Sequence, residues 1–142
     1  MFDIKQNRAP AGSAWVWLTA EMMKSDAWRS LGINERRFVD FVLIEFLQHG
    51  GTKNGLIKAP YEQLEKIGIS GRLIAKAIDR VEEVGLIDAH RGGKRVATTY
   101  TLNWLPTHDG RPSSNRWRDF RSATVRPWPE PEKTPCKPLM PT

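Results

Sequence analysis

Residues Ala59 to Trp104, APYEQLEKIGISGRLIAKAIDRVEEVGLIDAHRGGKRVATTYTLNW, carry most of the information about the fold. Pro60 suits the first turn of a helix, where its missing N–H costs nothing. A brief helix is expected over Tyr61–Ile67, with Leu64 and Ile67 inward, followed by a turn at Gly68. Ile69 then plugs the core and Ser70 caps a second helix. From Arg72 to Val84 the apolar residues recur with helical period, so Ile74, Ala77, Ile78 and Val81 form one buried stripe. Gly85 stops that helix. Leu86–His90 and Val96–Leu105 read as strands around the loop Arg91-Gly92-Gly93-Lys94-Arg95, with Tyr100, Leu102 and Trp104 alternating to one face.

Upstream, a long helix is predicted over residues 35–49, capped by Asn34, with Glu35 at its positive end and Gly50 closing it. Phe38, Phe41, Val42, Ile44, Phe46 and Leu47 cover more than one stripe, so this helix is expected to be sandwiched, in the interior or partly against a second copy. Thr19 and Ser25 are expected to cap two short helices, Ala20–Lys24 and Asp26–Leu31. Ala14–Thr19 has the alternation of a short strand, with Trp15 and Trp17 on its buried face. Leu56–Lys58 suits a short strand that pairs with the hairpin.

The chain has 142 residues, 39% of them apolar and 27% charged, which suits one soluble globular domain. Its beginning lacks a secretion signal pattern, and its densest apolar run, Phe38–Leu47, is too short to cross a bilayer. A single cysteine, Cys136, excludes an internal disulfide and a multi-cysteine zinc site, and His49, His90 and His108 are scattered. These features fit a reducing cytoplasm and a protein without metal or cofactor. No nucleophile–base pair, phosphate loop or ligand cluster suggests an enzyme. The net charge of +6 favours anionic partners, nucleic acid being the commonest for a basic domain.

Residues 1–13 are expected to be a flexible arm, 14–106 the domain, and 107–142 a basic tail, largely extended or disordered. Residues 106–142 hold eight of the ten prolines and seven basic side chains against four acidic ones. Within that tail, SSNRWRDFRS (113–122) suits a turn or two of helix with Trp117 and Phe120 on one side. Its arginines and aromatic rings suit bases or phosphates, a protein partner, or a fold-back onto the domain.

If residues 70–84 form a helix, Ser70, Arg72, Ala75, Lys76 and Asp79 face outward. The major groove accepts such a helix, and residues near its N-terminal end usually meet base edges. Candidate DNA-binding residues are therefore Arg72 and Lys76, with the Ser70 and Gly71 backbone N–H groups on a phosphate. Arg91, Lys94 and Arg95 in the hairpin loop add candidate contacts to the flanking backbone. The competing account is a solvated helical face, with Arg80 paired to Glu83 or Asp79.

Taken together, SDAWRSL, QHGG followed by NGLI, YEQLEKIGIS, VEEVGLI and YTLNWLP resemble winged helix-turn-helix proteins. More narrowly, they resemble small proteins carried by phages, plasmids and integrative elements of alphaproteobacteria. The likeness covers roughly residues 14–106. It implies an α+β, mostly α fold: a three-helix core with a β-hairpin wing, preceded by a short strand and helices. It also implies binding of double-stranded DNA, in transcription regulation or in DNA replication of a mobile element. The alternatives to a regulator are a replication-initiation accessory that recruits a protein partner through the tail and a winged-helix adaptor that binds protein alone, and a homodimer is compatible with each.

Overall fold

In the computed structural model, which describes residues 12–131, the chain is α+β and mostly helical, with one small antiparallel sheet. In chain order the elements are α1 (Ala20–Lys24), α2 (Asp26–Arg29), α3 (Ile33–Gln48), β1 (Ile57–Lys58), α4 (Tyr61–Lys66), α5 (Gly71–Glu83), β2 (Ile87–His90) and β3 (Thr99–Leu102). A 3-10 turn, Arg116–Asp119, follows. The strand order is β1-β3-β2, with Ile57 opposite Tyr100 and Ile87 opposite Leu102. The short strand before α4 thus pairs with the hairpin, as its position suggests.

Local chemistry accounts for the helix ends. The Thr19 and Ser25 hydroxyls accept the Met22 and Trp28 backbone N–H groups, capping α1 and α2. Gly68, at φ +106°, lets the Gly68 and Ile69 N–H groups bond the Glu65 and Leu64 carbonyls at the end of α4. That closure turns the chain within four residues and drops Ile69 into the core. α3 begins earlier than its sequence suggests. Gly32 is its cap, and the Arg36 N–H closes the first turn on the Gly32 carbonyl, which leaves Asn34 inside the helix.

The core lies between α3, α5 and the sheet. α3 contributes Phe38, Val39, Val42 and Phe46, and α5 contributes Ile74, Ala77, Ile78 and Val81. Phe38 meets Tyr100 edge-on, with ring centroids 5.1 Å apart. Asn54, fully buried, anchors the loop before β1. Its amide donates to the Leu102 carbonyl at 2.9 Å and the Leu105 carbonyl at 3.1 Å, and its Oδ1 accepts the Leu102 N–H at 2.6 Å.

Two expectations are corrected here. Ala14–Thr19 forms no strand: Trp15 and Trp17 are 63% and 48% exposed, and Val16 is the residue packed toward the core. Among the described residues no backbone bond joins residues 14–18 to the sheet, so this segment lacks the ladder that makes a strand. Ile67, expected inward, is 43% exposed, while Leu64 and Ile69 on either side of it are the residues buried in the core.

Residues 107–131 have little regular structure yet lie on the domain. Trp117 is buried, its indole N–H donating to Asn115 Oδ1 at 3.2 Å. A Cβ on Gly85, at φ +89°, would stand 2.7 Å from the Arg116 carbonyl carbon, so glycine alone permits this approach. The Asn115 N–H bonds the Asn103 carbonyl, and the Asn103 amide bonds the Gly85 carbonyl. This segment helps explain why Thr101 and Asn103 are buried, although their side of β3 is the one left over by Tyr100 and Leu102. Among the described residues no helix is long and apolar enough to cross a membrane. Most of the expected N-terminal arm, residues 1–11, and Cys136 lie outside the described residues.

Candidate nucleic-acid interface

The face of α5 opposite its buried stripe is exposed along Gly71, Arg72, Ala75, Lys76 and Asp79. At 100° per residue, Arg72, Lys76, Asp79 and Glu83 fall in one row. Among the described residues neither Arg72 nor Lys76 makes an ion pair or a side-chain hydrogen bond. Charges left without a partner on a convex helix are free to meet an anion.

Further along the same row the situation changes. Asp79 and Glu82 both bind Arg91, at 3.4 and 3.3 Å. Arg80 pairs with Glu83 at 3.2 Å, one of the pairings expected for a solvated face. The contact between Arg91 and Asp79 sets the base of the β2–β3 loop beside the row that begins at Arg72. The Arg91 contacts with Asp79 and Glu82 therefore place the base of the loop beside the second half of α5. Arg91 itself, a candidate phosphate contact, is satisfied within the fold, whereas Lys94 and Arg95 further along the loop are exposed.

Ser70 holds the cap position of α5, but its hydroxyl bonds none of the helix N–H groups. A Cβ at Gly71 would lie 2.6 Å from Glu65 Oε1, so a carboxylate from α4 rests against the start of α5. A negative group there is favoured by the helix dipole, by about 0.3–1 kcal/mol. A phosphate using the Ser70 and Gly71 N–H groups must displace the end of this exposed side chain.

Two participants were not evident from local sequence. Arg37 on α3 donates to the Gly68 carbonyl at 2.8 Å and so braces the turn before α5. Glu65 is the other. Both act across elements, through contacts that helical periodicity does not encode. Comparisons of the chain with protein-family models, with curated proteins and with solved structures give no match.

Proposed function

We propose that the chain is a winged helix-turn-helix protein that binds double-stranded DNA without enzymatic activity, as a transcriptional regulator. In this account α4, the Gly68 turn and α5 are the helix-turn-helix, and the β2–β3 loop is the wing. Arg72 and Lys76 meet the major groove or its phosphates, the start of α5 takes a phosphate, and Lys94 and Arg95 hold the flanking backbone. The order helix, strand, helix, turn, helix, hairpin supports it, as does the pairing of β1 with β3. The observation that carries it is the unpaired Arg72–Lys76 row beside the base of a cationic loop.

Selection of bound sequences from a random duplex pool, followed by gel shift, tests this. Arg72→Ala with Lys76→Ala is expected to abolish specific binding, while stability shifts by about 0.5 kcal/mol or less per site, as exposed substitutions usually do. Wild-type affinity should fall with salt at a slope of about −0.9 per phosphate neutralised. Unchanged affinity in the double variant would refute the assignment.

Replication initiation, with the tail as a recruiting arm, is the second account. The packing of residues 107–131 on the domain favours the regulator. Because Trp117 is part of the core, removing residues 107–142 perturbs folding itself, so truncation does not isolate recruitment.

A further inference from the structure

Away from the exposed row of α5, a cavity of about 360 Å³ opens between α1, α2, the start of α3 and the chain at Trp128. Met23, Trp28 and Trp128 give it apolar walls, and Lys24, Arg29 and Arg36 stand around it. The Arg36 guanidinium lies 5.5 Å from the Trp28 ring centre, Arg29 5.2 Å from that of Trp128, and Lys24 Nζ 6.0 Å from the same ring. Such cation–aromatic contacts hold a charge in place without cancelling it.

The hydrogen bonds have the same character. Arg29 donates to the Arg126 carbonyl at 2.5 Å and Arg36 to the Trp28 carbonyl at 3.1 Å, both neutral acceptors. Among the described residues no carboxylate pairs with Lys24, Arg29 or Arg36. The two acids of α1 and α2 are engaged elsewhere: Glu21 pairs with Arg118 at 3.1 Å, and Asp26 accepts the Ser122 N–H at 3.0 Å. Three oriented, uncompensated cations thus surround an aromatic-walled recess, and Trp128 keeps half of its surface open.

We infer that this recess binds an unpaired nucleotide of single-stranded nucleic acid, its base against Trp128 and Met23 and its phosphates on Lys24, Arg29 and Arg36. Charge complementarity selects an anion, and the apolar wall selects one that carries a flat ring. A duplex buries its base faces in the stack and would offer this site phosphates only, leaving the wall uncovered. Stacking of a base on an aromatic side chain combined with cationic contacts to the backbone is the general chemistry of single-strand binding. The site does not depend on what α5 binds.

Fluorescence anisotropy of the full chain with a labelled oligothymidylate, the matching duplex and heparin provides the test. Trp128→Ala is expected to weaken oligothymidylate binding by roughly 5- to 150-fold, the range found for loss of one stacked base. Trp128→Phe, which keeps a π-face, should restore most of it. Lys24→Ala should lower the salt slope for the oligothymidylate by about 0.7, the single-strand value for one phosphate. Arg72→Ala with Lys76→Ala should leave that affinity unchanged, which separates this site from the α5 interface. Unchanged oligothymidylate affinity in Trp128→Ala overturns the inference. Equal losses for oligothymidylate, duplex and heparin also overturn it, by revealing a patch that attracts any polyanion. Should Trp128→Ala unfold, Lys24→Ala decides: an oligothymidylate salt slope equal to that of the wild type overturns the inference.

Discussion

The two halves of α5 differ both in the sign of their charge and in how that charge is met, the first holding only cations and the second three acids and one arginine. In the first half Arg72 and Lys76 are exposed and, among the described residues, without a partner. In the second half every charged side chain is engaged. Asp79 holds Arg91, Arg80 holds Glu83 and lies over the Phe120 ring at 5.3 Å, and Glu82 holds Arg91 while accepting the Ala89 N–H at 3.1 Å. Arg116, from the segment after the sheet, adds bonds to Asp88 and to the Glu82 carbonyl. Exposed pairs of this kind contribute about 0.2–1 kcal/mol each, so the second half gains a little stability and loses free charge. A charged helical face therefore does not by itself mark a ligand site. What decides is whether neighbouring elements bring counter-charges to it.

The largest test of this contrast removes the anchor of the sealed half. Trp117→Ala should cost about 3–5 kcal/mol, the usual range for a buried tryptophan, and lower the urea midpoint accordingly. It should also free Arg116 and Phe120 from the end of α5. A midpoint like that of the wild type would show that residues 107–131 are not part of the folded unit, and the contacts of Arg116 and Phe120 with the second half of α5 would drop out of the contrast, leaving only the Arg91 and Arg80 pairs.

Much of this arrangement was legible in the sequence, and what was missed has a common cause. The buried stripe of α5 follows from local period alone, and the caps Thr19 and Ser25 follow from local chemistry. The outward positions of Arg72 and Lys76 follow in turn from the stripe. By contrast, Asn54 satisfies carbonyls some fifty residues away, and nothing near it announces a buried amide. The same holds for Glu65 against Gly71, for Arg37 on the Gly68 turn and for Trp117 beneath the second half of α5. Trp15 and Trp17 show a different failure. Alternation indicates two faces but not which one is covered, and here Val16 rather than the tryptophans faces the core. The lining at Trp128 was illegible because it joins residues from opposite ends of the domain.

A smaller test concerns Arg91, which separates a positioning role from a binding one. Arg91→Ala should cost less than about 1 kcal/mol, as exposed pairs do. If Arg91 acts as the staple between α5 and the loop, the salt slope for duplex binding should match that of the wild type. A slope reduced by about 0.9 would mean that it contacts a phosphate instead. Lys94→Ala, lacking such internal partners, should show that reduction.

Tyr100 provides a spectroscopic probe of the sealed half with the least disturbance. Burial is the main reason its phenol is pushed up from the ordinary value of 10.0 to about 12; Tyr61 adds to the rise, Arg91 opposes it and Glu82 adds to it. A group whose acidity is suppressed by folding stabilises the fold fully below the unfolded value and loses that contribution as pH climbs through the folded one. Stability should hold to about pH 10 and then decline toward pH 12, with tyrosinate absorbance from Tyr100 emerging only near the upper end of that window. Tyr100→Phe should remove this part of the alkaline decline. Because Arg91 is a neighbour that favours the phenolate, Arg91→Ala should move the Tyr100 titration higher still, whereas Arg72→Ala with Lys76→Ala should leave it in place. If both variants moved it equally, the two halves of α5 would be electrostatically continuous, and the absence of counter-charge at Arg72 and Lys76 would no longer set the first half apart.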